Sequence, residues 1–215
     1  MTVRIVLVDD HPVMRDGLRA VLETHSDFEI VGEAGNGLEA IEQVRRLAPD
    51  VVVMDIGMPD LNGVEATRRI QALDPGVKVL ALSTYDDQQF VLEMLEAGAS
   101  GYVLKANVTG ELLQAIEAVS RNKSYLSPDV AATVVDNYVG RLFSTNNSPR
   151  TELGGREREV LQLLAEGKTS KQIAKHMQIS TNTVEAHRRN IMKKLNLHSI
   201  AELTKYAVRH GLTSP

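Results

Sequence analysis

The 215-residue chain has no cysteine, which excludes disulfides and thiolate metal sites together. No stretch approaches the roughly 18 uninterrupted apolar residues that a membrane-spanning helix needs. The apolar run Ile5 to Val8 is far too short for a signal-peptide core and ends in Asp9 and Asp10. There is no internal repeat on the scale of about 20 to 50 residues and no low-complexity tract. What is present is 43% hydrophobic content, enough to fill ordinary cores in one domain or two. The expectation is a soluble, two-domain cytoplasmic protein with no membrane partner.

Positive charge is scarce in most of the chain and concentrated at its end. Residues 151–215 carry 11 Lys/Arg against 6 Asp/Glu, while residues 1–150 carry 13 against 22. The C-terminal part is therefore +5 and the rest −9, an asymmetry hidden by the overall −4. A basic domain joined to an acidic one points to a polyanion partner for the basic part.

Up to about residue 121 the pattern alternates between short β-branched runs and amphipathic segments. Strands are expected near 3–8, 28–34, 50–54, 77–82 and 101–104, and helices near 12–24, 37–47, 63–73, 87–97 and 109–121. Five strands with crossover helices fit one five-stranded, doubly wound parallel sheet. Ser127 and Pro128 read as the cap and first-turn proline of a further helix running to about Val139. The polar, turn-rich FSTNNSPR after it is the best linker in the chain. The boundaries that follow are an α/β domain over 1–121, a linker helix and linker over 122–150, and a second domain over 151–215.

In a parallel sheet the carboxyl ends of the strands share one edge, where ligands of open α/β folds bind. Asp9 and Asp10 close VRIVLVDD, Asp55 closes VVVMD, Ser83 closes VKVLALS and Lys105 closes GYVLK. Two carboxylates about 4 Å apart repel by roughly 4 kcal/mol at an effective dielectric near 20, so three demand a compensating proton or metal. A hard divalent cation with oxygen ligands, Mg²⁺ above all, meets that demand. Lys105 and Ser83 suit the oxygens of a phosphoryl group.

The stretch Val3 to about Arg121, with VLVDDHP, VVVMDIGMPDLNG, LALSTYDD and GASGYVLK, resembles a response-regulator receiver domain with a flavodoxin-like fold. The resemblance implies that Asp55 accepts a phosphoryl group. It also implies that Asp10, Asp55 and the Gly57 carbonyl bind Mg²⁺ directly, and that Asp9 does so through water. Ser83 and Lys105 would hold phosphoryl oxygens, and Ser83 and Tyr102 match the switch positions. The resemblance further implies that Gly57 and Tyr85 flank the path of a hydrolytic water; neither can readily orient it, so the phosphorylated state is expected to last.

From Leu153 onward only helical periodicity remains, with apolar positions at Val160, Leu161, Leu164, then Ile173, Ala174, Met177, then Val184, Ile191, Leu195, then Ile200 to Val208. QIST, with Ser180 or Thr181 able to cap the next helix, joins the second and third closely enough for a helix-turn-helix. On a helical wheel the third helix turns Asn182, Glu185, Ala186, Arg189 and Lys193 outward. GREREVLQLLAEGKTSKQIAKHMQISTNTVEAHRRNIMKKLNL resembles the LuxR-type four-helix DNA-binding domain, and with the receiver it places the chain near the NarL/FixJ class. Gly154 departs from the threonine cap common in that family.

That resemblance implies base-edge contacts by Glu185, Ala186 and Arg189 and phosphate contacts by Lys171, Thr183, Arg188, Lys193 and Lys194; Glu185 alternatively orients a neighbouring arginine. It implies pairing of two copies through the last helix, whose apolar stripe Ile200, Leu203, Ala207 exceeds what one small domain needs. The implied partners are a sensor histidine kinase, double-stranded promoter DNA and a second copy of the chain, with RNA polymerase as a further candidate. The competing reading is an enzyme, a haloacid-dehalogenase-like phosphatase with Asp9 as nucleophile and His11 two residues on. Pro12 and the lack of a cap insertion argue against it, so no enzyme is expected.

Overall fold

Runs such as VRIVLV and VVVMD are rich in β-branched residues, which suit a pleated sheet buried on both faces, and they form its strands. A computed structural model describes residues 2–84, 88–143, 153–210 and 212–213. The chain divides into two units, Met1–Thr145 and Asn146–Pro215.

In the first unit β1 (Val3–Val8), β2 (Phe28–Ala34), β3 (Val51–Asp55), β4 (Lys78–Ser83) and β5 (Gly101–Leu104) alternate with α1 (Pro12–Leu22), α2 (Gly37–Leu47), α3 (Gly63–Leu73), α4 (Gln88–Glu96) and α5 (Val108–Ser120). A 3₁₀ turn, Lys105–Asn107, separates β5 from α5, and β6 (Tyr125–Leu126) leads into α6 (Pro128–Phe143). The strands are parallel in the order β2-β1-β3-β4-β5-β6. The order reverses between β1 and β3, and that switch point opens the crevice where a ligand fits.

Strand alternation fills two cores. Val6, Val8, Val52, Met54, Val79 and Ala81 pack with α2, α3 and α4, while Ile5, Leu7, Val51, Val53, Leu80 and Leu82 pack with α1 and α5. α5 lacks a side-chain cap at Asn107, yet it buries Val108, Leu112, Ile116 and Val119. At about 1.5–3 kcal/mol for each large apolar side chain, that face outweighs a missing cap worth about 1 kcal/mol.

Three expectations change here. The sheet has six strands, because Tyr125–Leu126 pairs with Gly101 and Tyr102; two residues are too few to stand out in a sequence pattern. The unit also continues beyond 121, since α6 packs on α4 and β5 and Val130 joins the strands' core. Ser127 does not cap α6 with its side chain. Its hydroxyl donates to the Glu111 carboxylate and accepts the Leu104 N–H at 3.4 Å, so the oxygen that a helix N–H would need is turned to β5 instead. The linker residues 144–150 lie outside the described residues.

The second unit contains α7 (Gly155–Ala165), α8 (Ser170–Met177), α9 (Thr181–Leu195) and α10 (Ile200–Arg209). Ser180 caps α9 by accepting the Thr183 N–H at 3.1 Å, and Ser199 caps α10 by accepting that of Glu202 at 3.2 Å. Leu161, Ile173, Met177, Val184, Ile191, Leu203 and Ala207 meet in one core. α9 gives that core only Val184 and Ile191 as fully buried residues, a narrow stripe that anchors the helix and leaves a broad polar face outside.

Candidate functional site

The strand ends bring the acidic residues together as the sequence pattern anticipates. Lys105 Nζ lies 2.7 Å from Asp9 Oδ2 and 2.9 Å from Asp55 Oδ2. Asp9 is fully buried; its Oδ1 accepts the His11 N–H at 2.9 Å, and Arg15 donates to its carbonyl at 2.6 Å. Asp55 Oδ1 accepts the following N–H, of Ile56, at 2.8 Å. Ligand atoms of Asp9, Asp10, His11 and Asp55 all lie within 4.8 Å of one another.

The balance of charge in this cluster is unfavourable without a cation. Lys105 neutralises one of three carboxylates, and burial pushes the Asp55 carboxyl above its usual range, with Lys105 opposing and Asp9 adding to the shift. Burial also works against the Lys105 ammonium, but Asp55 and Asp9 outweigh it and hold its pKa up. Asp10 Oδ1 is buried and accepts no hydrogen bond, although His11 Nδ1 lies 2.8 Å away. A buried carboxylate oxygen left unsatisfied beside two more carboxylates fits a hard divalent cation.

Ser83 is buried at the end of β4, one residue beyond the partner of Asp55 in the sheet register. Tyr102 is fully buried in the core that α6 completes through Val130. Gly57 sits in the loop after Asp55, and Tyr85 lies outside the described residues. Two contributors escaped the sequence reading of the pocket. His11 joins the acid cluster, signalled only by its place after the paired acids. Gly63 opens α3 so close to β3 that a Cβ there would collide with the Asp55 carbonyl oxygen and come within 3.0 Å of the Asp55 carbonyl carbon and Ile56 Cα.

On the second unit α9 exposes Asn182, Thr183, Arg189 and Lys193, α8 exposes Lys171, and Ala186 is half-buried. Glu185 is engaged within the protein: its Oε1 accepts from Ser170 Oγ at 2.6 Å and from Arg188 Nη1 at 3.1 Å. Lys194, expected at phosphate, pairs with Glu157 Oε2 at 2.6 Å in the chain by itself. The same Glu157 oxygen accepts the Gly154 N–H at 2.8 Å, so glycine at the cap keeps half of a capping box. The apolar stripe proposed for pairing divides. Leu203 and Ala207 are 1% and 0% exposed in their own domain's core, and Ile200 alone, at 49%, stays open. A four-helix domain this small needs both residues to close its core, which the sequence reading underestimated.

A parallel α/β unit with an acid cluster and lysine at its switch point, followed by a helix-turn-helix unit, defines a phosphorylation-type receiver joined to a DNA-binding domain. The chain belongs to that class, the LuxR-type response regulators: residues 5–117 match the response regulator receiver domain family and residues 151–207 match the bacterial regulatory proteins of the luxR family. It is a DNA-binding transcriptional regulator and not an enzyme. It is 38% identical to the oxygen regulatory protein NreC of Staphylococcus carnosus (strain TM300) over 97% of this chain and 98% of that one. Among solved structures, a LuxR-family two-component response regulator from Aurantimonas sp. SI85-9A1 shares 41% identity, with TM-score 0.62, over 65% of this chain and 99% of that one. The response regulator ChrA of a heme-sensing two-component system shares 35% identity, with TM-score 0.53, over 98% of each chain. Among the described residues, no helix is long and apolar enough to cross a membrane.

Proposed function

We propose that Asp55 receives a phosphoryl group from a phosphohistidine of a sensor kinase and that this governs promoter binding through α9. An Asp55 carboxylate oxygen forms the new O–P bond as the N–P bond breaks, and the electron pair stays with the imidazole, which takes a proton. Asp10, Asp55 and the Gly57 carbonyl would hold Mg²⁺ directly and Asp9 would hold it through water. The ion would neutralise the two uncompensated carboxylates and the incoming phosphoryl oxygens. Lys105 and Ser83 then hold phosphoryl oxygens, and Ser83 and Tyr102 carry the change away from the pocket. The observation that carries this reading is the buried, unsatisfied Asp10 Oδ1 beside the Lys105-bridged Asp9 and Asp55.

On DNA, Arg189 and Ala186 face base edges while Lys171, Asn182, Thr183 and Lys193 meet the backbone, as the exposure of Lys171, Asn182, Thr183, Arg189 and Lys193 supports. Two copies bind half-sites about 10 bp apart, paired through the surface that includes Ile200, and RNA polymerase is a partner of the bound dimer. Incubation with an acyl phosphate and Mg²⁺ followed by intact-mass measurement tests the first step. Wild type should gain one phosphate and Asp55→Ala none; equal labelling of both would place the acceptor elsewhere.

A further inference from the structure

α9 carries one acid on its exposed side, Glu185, and two consecutive arginines after it. A carboxylate in a groove lined by phosphates is repelled unless it meets a donor, either a base such as cytosine N4 or a cation of its own protein. Here the donors are within the protein and come from two helices. Ser170, the first residue of α8, donates to Glu185 Oε1 at 2.6 Å, and Arg188 Nη1 reaches both Glu185 oxygens at 3.1 and 3.4 Å and Ser170 Oγ at 3.5 Å. Ser170 lies 15 residues from Glu185, so the cluster ties the two helices of the helix-turn-helix to each other.

The guanidinium is engaged on one side only. Among the described residues Nη1 makes all of its hydrogen bonds, and Nε is buried with no partner. An arginine gripped in this way keeps one orientation and leaves Nη2, rather than the buried Nε, to meet an anionic oxygen. The Ser170 hydrogen bond, with the neighbouring arginines, holds the Glu185 carboxyl below its ordinary range, so the pair stays ionised at neutral pH.

We infer that Glu185 and Ser170 are positioning residues, which clamp Arg188 in a single orientation for one backbone phosphate and so make the domain selective, rather than readers of a base. This rests on the reading of α9 as the DNA-contacting helix. With the clamp intact Arg188 is ordered before DNA arrives, and its charge is partly cancelled on non-specific sequence. Released, it finds a phosphate on any sequence, so non-specific binding gains and discrimination falls.

The test measures binding of the full chain to its selected promoter site and to random duplex, across a salt series, for wild type, Ser170→Ala, Glu185→Gln and the double variant. Glu185→Gln should lower the specific-to-random affinity ratio about tenfold and steepen the salt dependence on random duplex by about 0.9, one phosphate contact. Ser170→Ala should lower the ratio a few-fold, and adding it to Glu185→Gln should change little further, since both act through one clamp. Single-base variants of the site should keep their ranking in every protein. A loss confined to one base pair for Glu185→Gln with Ser170→Ala silent would make Glu185 a base reader and overturn the inference. So would a lowered thermal midpoint with ratio and salt slope intact. If wild type bound no duplex in a salt-dependent way, the DNA-contact reading itself would fail, and the inference with it.

Discussion

Gly63→Ala should disturb the phosphorylation pocket without touching any of its polar side chains. The added methyl carbon would overlap the Asp55 carbonyl oxygen and sit 3.0 Å from both the Asp55 carbonyl carbon and Ile56 Cα. All three neighbours are backbone, so relief requires α3 and the end of β3 to separate. Overpacking of this kind costs about 1–3 kcal/mol, against about 5–15 kcal/mol of total stability for a domain; the fold should survive and the pocket should shift. Because a displacement of about 1 Å can cost roughly 100-fold in a positioned reaction, labelling of Asp55 should slow far more than stability falls. Gly17→Ala and Gly110→Ala serve as controls, since a Cβ at either helical position meets nothing within 4 Å. Each should stabilise by up to about 0.5–1 kcal/mol. Urea unfolding gives the stabilities, and the initial rate of phosphate incorporation by intact mass gives the reactivity. If Gly63→Ala matched the two controls in both measurements, the claim that close approach of α3 fixes Asp55 would be wrong.

Glu157 provides a pH prediction for the second unit. Burial pushes its carboxyl up, but hydrogen bonds from Lys194 and the Gly154 N–H outweigh this and hold it below the ordinary value of 4.5. Its folded pKa is depressed, so its contribution is complete above pH 4.5 and is lost as pH falls through the folded value. Glu157→Gln should flatten the decline of the urea midpoint in that acid range, followed through the Tyr206 ring resonances; an unchanged profile would mean that the Lys194 pair contributes nothing. Arg189→Ala should cost about 1–3 kcal/mol and relax preference at one position per half-site, whereas Lys193→Ala should weaken all sequences alike and flatten the salt slope by about 0.9. Footprints on single-base variants separate the two, and a uniform loss for Arg189→Ala would demote it to a phosphate contact. Gly57→Asn should speed loss of phosphate from Asp55 by giving the hydrolytic water a polar neighbour; equal decay in both proteins would count against slow hydrolysis by default.

The sequence by itself determined the parallel α/β unit, the convergence of Asp9, Asp55 and Lys105, and the helix-turn-helix. The first and last follow from local periodicity and the second from the rule that parallel strands share a carboxyl edge; none of the three requires knowing what a side chain touches. Caps within one turn were equally legible, as at Ser180, whose side chain accepts the Thr183 N–H at 3.1 Å, because cap and donor are three residues apart. Contacts between distant segments were not. The sixth strand exists only because β5 offers an open edge to Tyr125 and Leu126. Ser127 leaves its expected cap because its hydroxyl oxygen accepts the Leu104 N–H of β5 while donating to Glu111, and Leu203 and Ala207 leave the expected pairing surface because their own core takes them. Glu185 reads as exposed charge on a helical wheel, yet Ser170 on α8 binds it, and Lys194 pairs with Glu157 on α7. A wheel describes one helix in isolation, while the partner of a charged side chain is set by which other helix packs beside it.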